Sequence, residues 1–269
     1  APLRVCRRQG HDARRLAHPG AVLRNLAALW RYRGLIGSLV ARELKARYRG
    51  SFLGYFWSFL NPLLQLAVYT VVFTKFMRQS FDNVPQETYA LFLFCGILPW
   101  TWFQSSLMEA SDVVIEHGNL IRKLLFPAEV LPLVRVLANL VHFLLGLPIL
   151  LAAFLVYRLL SLGPSFTRYA LLFPVVMLLQ FLLTCGFAFG LAALSVHFRD
   201  LKNILGNLLM MTFFASAIIY PYDWVKPGIW GTVLSLNPVA HLMAAYQHVL
   251  YFGYPLGLRP LLATAVASV

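Results

Sequence analysis

The stretch Arg42-Glu-Leu-Lys-Ala-Arg-Tyr-Arg-Gly-Ser-Phe-Leu-Gly-Tyr-Phe-Trp-Ser-Phe-Leu-Asn-Pro-Leu63 changes character at Gly50. Five of its first eight residues are charged, and after Arg49 the next charged residue is Lys75. A helix needs about 20 apolar residues to cross ~30 Å of hydrocarbon, and the charge-free run 53–74 supplies them. Basic residues abutting a first span mark the end that stays in the cytoplasm.

Four further charge-free runs follow: 88–108, 136–157, 169–198 and 203–222. A sixth, 227–258, is cut by Pro227, Pro238, Gly253 and Pro255. Its longest unbroken piece, Val239 to Phe252, reaches only about 21 Å as a helix. It reads as a re-entrant or interfacial helical hairpin, which membranes tolerate where the backbone is buried in protein or lines a water-filled cavity. Beyond Arg259 another apolar stretch opens at Pro260, read as the first part of a sixth span. The expected fold is an all-α membrane protein of six transmembrane helices, with a re-entrant hairpin between spans five and six. The expected organisation is a basic segment (1–20), an amphipathic interfacial helix (21–50) and a transmembrane domain (51–269) with its sixth span cut short.

Composition agrees. Of 269 residues, 59% are hydrophobic and 12% charged, against roughly 25% charged in soluble proteins, and mean hydropathy is +0.69. This excludes a disordered chain, a disulfide-stapled domain and an ordinary cytosolic enzyme. The formal charge of +13 is concentrated: residues 1–50 hold twelve of the 23 basic residues, opposed there only by Asp12 and Glu43. It reads as a cytoplasmic collar facing anionic lipid rather than a nucleic-acid footprint. Leu35, Ile36, Leu39, Val40 and Leu44 recur at helical spacing within it. That helix, divided at Gly34, reads either as a passive anchor or as a surface that also meets a partner or an anionic substrate head.

Chemistry of its own is absent from the sequence. No GxxxxGK[ST] phosphate loop, HExxH, GxSxG, Cys/His metal spacing or paired acidic motif occurs. Cys6, Cys95 and Cys185 read as lone thiols, and His142 and His248 as structural histidines. No Asp, Glu, Lys or Arg lies mid-span in the first five runs, whereas ion-coupled carriers usually need such groups despite their cost. No catalytic, metal or cofactor site is expected, and if the protein moves something, another chain supplies the energy.

Four stretches carry a resemblance: Arg42–Leu63, Tyr89-Ala-Leu-Phe-Leu-Phe-Cys-Gly-Ile-Leu-Pro-Trp-Thr-Trp-Phe103, Asn119-Leu-Ile-Arg-Lys-Leu-Leu-Phe-Pro-Ala-Glu-Val-Leu-Pro-Leu133, and Phe198-Arg-Asp-Leu-Lys202 with Tyr220-Pro221 and Leu236-Asn-Pro-Val-Ala240 after it. In this order the chain resembles, over residues ~30–269, the membrane subunit of ABC-type polysaccharide exporters, which move lipid-linked O-antigen, teichoic acid or capsular polysaccharide. The resemblance implies a homodimer in the bacterial cytoplasmic (inner) membrane, N-terminus inside. It also implies two copies of a separate ABC ATPase holding ATP and Mg2+, and an undecaprenyl-type lipid-linked polysaccharide as substrate. It makes Asn119 to Leu133 the element coupled to the ATPase. There Asn119 suits a cap, Arg122 and Lys123 a cytosolic turn, Leu125 and Phe126 an apolar knob, and Pro127 a stop; an interfacial loop packed on its own helices is the plainer alternative. Arg199, Asp200 and Lys202 form a second inside turn, either another ATPase contact or a charged stop.

A polysaccharide path should offer aromatic faces without fixed charge. Phe52, Tyr55, Phe56 and Phe59 form a stripe at the first span, followed by Tyr69, with Trp100 in the second span and Phe213 and Phe214 in the fifth. Such stripes also serve as packing or interfacial belts; the resemblance places the first and fifth spans along the channel. Arg47, Tyr48 and Arg49 could guide a lipid pyrophosphate, since arginine binds it bidentately, or anchor lipid headgroups. Gly186-x-x-x-Gly190 would allow close helix approach. An exporter of drugs or small lipids, a membrane-embedded transferase and a passive channel are the other readings.

Overall fold

The computed structural model describes residues 32–78, 80–117, 130–161, 168–198, 200–226 and 228–254, with Tyr55 and Thr74 in backbone only. The predicted basic segment 1–20, the coupling residues Asn119, Arg122, Lys123, Leu125, Phe126 and Pro127, Arg199 and the start of a sixth span lie outside these residues. The helices are α1 (Arg33–Arg47), α2 (Trp57–Val71), α3 (Tyr89–Glu116), α4 (Val130–Leu159), α5 (Phe173–Ser195), α6 (Leu201–Phe214), α7 (Ile229–Leu236) and α8 (Pro238–Gln247). Wider helical turns extend α2 through Val72–Met77 and α8 through His248–Phe252. Among the described residues there is no strand, only an isolated bridge between Phe81 and Val84.

Four segments are long and apolar enough to cross a membrane: Trp57–Met77, Gln86–Glu116, Val130–Leu159 and Arg168–Ser195. They match the first four charge-free runs. The centre of the fold is α3, buried along most of its length, whereas only Ser58 is buried in α2. Trp102 of α3 stacks on Phe143 of α4 at 5.1 Å and donates its indole N–H to Val136 O. From α5, the buried Gln180 donates to Pro99 O at 2.8 Å. Gly96 is required by α8: a Cβ there would stand 2.9 Å from Gln247 Nε2.

The fifth run differs. Instead of a helix over 203–222, α6 stops at Phe214, and its 14 residues span only about 21 Å. The next residues are as apolar, but side chains from elsewhere capture their carbonyls. Asn237 Nδ2 donates to Ala215 O at 3.0 Å, Gln247 Nε2 to Ile218 O at 3.0 Å, and Tyr89 Oη to Ile219 O at 2.5 Å. Ala217 takes a left-handed φ of 50°, and Ala217 and Ile218 are fully buried. The chain can leave the helix because its polar groups find new partners inside protein.

In the interrupted run 227–258, two short helices meet at Asn237. Its side-chain oxygen caps α8 by accepting from Val239 N–H at 3.0 Å. All of α8 after Pro238 is buried, whereas α7 exposes Ile229, Trp230 and Leu236.

Three further expectations need correction. The surface helix is described from Arg33, with Gly34 inside its first turn rather than at a break, and it ends at Arg47, short of residue 50. Its Ile36, Leu39 and Val40 pack on Val130 and Val134 of α4. The aromatic stripe is not one helical face, because Phe52 and Phe56 precede α2 in a corner that Gly50 and Gly54 turn at φ 80° and 50°. Gly186 and Gly190 face open space, with nothing within 4 Å of a Cβ at either, so they serve no helix contact within the described chain.

Candidate functional site

Glu109, Asp112 and Glu116 recur at helical spacing at the end of α3, on one face. Each meets a basic group from a different element. Arg47 at the end of α1 holds Glu109 at 2.6 Å. Lys202 at the start of α6 pairs with Asp112. Arg135 at the start of α4 holds Glu116 at 3.0 Å and also pairs with Glu43 of α1. Asp112 pushes the Lys202 ammonium above its ordinary pKa by hydrogen bonding and charge. Exposed pairs contribute little, ~0–1 kcal/mol each. The Arg135 side chain, however, is only 13% exposed and joins three helices, and such a shared, largely buried cation is costly to remove.

A polar network extends this layer inward. Arg47 also donates to Asn139 Oδ1 at 3.0 Å, and Asn139 Nδ2 donates to Glu109 Oε2 at 2.9 Å. Beside it, Ser58 Oγ donates to Tyr48 Oη at 2.9 Å, and His142 Nδ1 lies 3.3 Å from Ser58 Oγ and 3.4 Å from Tyr48 Oη. Arg47, Tyr48, Ser58, Asn139 and His142 border a cavity of about 220 Å3 between the corner before α2 and helices α2, α3 and α4, together with Trp57, Asn61, Gln65, Thr101, Ser105 and the apolar Pro62, Leu98, Trp102 and Phe143.

Of the three residues read as meeting a pyrophosphate, Arg47 and Tyr48 border this cavity, and Arg47 is already committed to Glu109 and Asn139. Arg49 is exposed, with no ion pair among the described residues. The aromatic residues divide. Phe52, Phe56, Phe59 and Phe214 are exposed, and Tyr69 is half-buried beneath a hydrogen bond from Gln65. Trp100 is 2% exposed, an interior residue packed on Phe103 and, at 5.6 Å, on the half-buried Phe213. Asp200 is exposed just before α6 and makes no side-chain cap.

Sequence reasoning missed Glu109, Asp112, Glu116, Arg135 and Asn139. The acidic spacing just past the second charge-free run was the available signal. It also missed Trp224 and Trp230, which with Phe214 and Tyr220 border an apolar groove of about 560 Å3 at the opposite end. Among the described residues, no group of three or more His, Cys, Asp or Glu could hold a metal ion.

Residues 34–251, from α1 through the end of α8, match the ABC-2 type transporter family. The chain belongs to this family. It is 42% identical over 249 residues to the O-antigen export system permease protein RfbA of Myxococcus xanthus, with 92% of each chain covered. A protein of the same name from Klebsiella pneumoniae is 31% identical over 219 residues, 81% of each chain. The polysialic acid transport protein KpsM of Escherichia coli is 22% identical over 221 residues, 81% of this chain and 82% of KpsM. As an ABC-2 type transporter chain it is a multi-pass membrane subunit, and the family match takes in the ionic layer, the polar cavity and the aromatic groove.

Proposed function

We propose that this ABC-2 type transporter chain is the transmembrane subunit of an ATP-driven exporter of lipid-linked polysaccharide of the O-antigen kind. The observation that carries the reading is the 42% identity, across 92% of both chains, to a permease named for O-antigen export. Nucleotide and Mg2+ belong on a separate ATPase, since the sequence has no phosphate loop. Two copies of each subunit complete the machine in the bacterial inner membrane, with the basic head inside and a sixth span beyond residue 254. In this reading α7 and α8 form the re-entrant hairpin and α1 lies along the membrane surface.

The ATPase pushes on Asn119 to Leu133. Support comes from position: this segment joins Glu116 to Arg135, which are paired with each other and, through Arg135, with Glu43 of α1. A push there bears on α1, α3 and α4 together. Asp200 and Arg199 offer a second contact, next to the Lys202–Asp112 pair. Polymer passes between two copies, along Phe52, Phe56, Phe59 and Phe214, whose rings are exposed in the protomer and can stack on sugars; Tyr55 and Tyr69 belong to the same wall. Arg49, exposed where Arg47 is paired, guides the pyrophosphate head.

Purification tests this. A tagged chain extracted in mild detergent should bring an ABC ATPase with it, and lipid-linked polysaccharide should raise ATP turnover. A chain that purifies alone, or turnover indifferent to polymer, would sink the proposal.

A further inference from the structure

The cavity beside Arg47 is built for a neutral ligand. Among the described residues Arg47 is the only charged side chain on its wall, and Glu109, 2.6 Å away, cancels it. No net charge remains to draw in an anion. The side chains of Asn61 and Ser105 border the cavity without a hydrogen bond among the described residues.

An amide and a hydroxyl both donate and accept. A ligand of alternating hydroxyls answers both, whereas a phosphate answers only their donors and an apolar molecule leaves both unpaired. Trp57, its N–H spent on Ser51 Oγ, offers an aromatic wall. The volume of 220 Å3 lies below the roughly 300–1,000 Å3 of drug-sized sites and leaves room for one sugar ring.

The geometry points to a site for a single neutral pyranose ring of the exported polymer, its hydroxyls held by Asn61 and Ser105 and its apolar face by Trp57. This rests on the polysaccharide reading above. It places one sugar beside Tyr48, where the surface helix gives way to the first span.

The test uses the full chain in lipid nanodiscs and saturation-transfer NMR with methyl glycosides of glucose, mannose and N-acetylglucosamine, alongside sodium pyrophosphate. At least one glycoside should receive saturation. Affinity should fall about tenfold in Asn61→Ala plus Ser105→Ala but hold in the exterior variant Leu155→Ala. Asn61→Gln plus Ser105→Thr, with donors and acceptors kept, should recover part of it and report on folding. Transfer to no glycoside, transfer that survives the alanine pair, or displacement by pyrophosphate each overturns the site. Polymer export in cells adds a second arm: slowed export in the alanine pair supports the site, and normal export overturns it. A deletion strain whose surface polymer is unchanged would overturn the export reading instead, while glycoside binding in nanodiscs would still stand.

Discussion

Arg135 illustrates what one side chain can do in a membrane protein of low charge. Its guanidinium is forked, so it can serve Glu43 and Glu116 at once, and at 13% exposure it does so largely out of water. Arg135→Ala strands two carboxylates near the hydrocarbon and should destabilise the protein by about 2 kcal/mol, less than a fully buried pair because Glu116 is half exposed. Arg135→Lys keeps the charge but not the fork, and should fall between. Thermal unfolding of the detergent-solubilised chain orders the three; equal midpoints for all would show that the bridge holds nothing. Asn237 is the uncharged counterpart. It donates to Ala215 O and Ser216 Oγ and accepts from Val239 N–H, so Asn237→Ala should cost about 2–3 kcal/mol by leaving the end of α6 and the start of α8 unpaired. The readout is the same, and a loss under about 0.5 kcal/mol would refute it.

At the scale of elements, charge-free runs located the first four spans because every backbone hydrogen bond in such a helix is local, and apolar length alone decides whether it crosses. The end of α6 was not legible for the converse reason. Residues 215–222 stay apolar, and what stops the helix is Tyr89, Asn237 and Gln247 reaching in from distant parts of the chain. The ionic layer was half legible: the spacing of Glu109, Asp112 and Glu116 is visible, but their partners on α1, α4 and α6 are set by packing. Trp100 and Phe52 likewise look alike in sequence, and only the position of α3 inside the fold separates an interior ring from an exposed one. Glycines make the same point testable. Gly96→Ala places a methyl 2.9 Å from Gln247 Nε2 and should push α8 off α3 at a cost of about 1–3 kcal/mol. Gly186→Ala meets nothing within 4 Å and should be neutral or slightly stabilising, since alanine favours helix by about 1 kcal/mol. Unfolding midpoints and yields of the two purified variants decide this, and equal sensitivity would contradict the packing described.

At the scale of the whole molecule, the position of charge links sequence to orientation. The end of α1, the end of α3 and the starts of α4 and α6 lie together, joined by the ionic layer. These are the ends that a chain entering from the side of its basic head would leave on that side. The acidic residues of α3 add little to topology, since Lys and Arg carry the bias, and their partners neutralise them where they approach hydrocarbon. In the proposed orientation, the excess of residues 1–50, twelve basic against two acidic, sets the direction. Two exposed positions test it: Asp200, before α6 at the ionic end, and Lys226, in the loop after α6 beside the aromatic groove. Cysteines placed singly there, in a background with Cys6 replaced and the buried Cys95 and Cys185 left in place, should react with a membrane-impermeant maleimide from opposite sides. Lys226→Cys should label on intact spheroplasts and Asp200→Cys only after permeabilisation. Labelling of both from one side would break the alternation of spans, and the reverse pattern would mean that the basic head does not orient the chain.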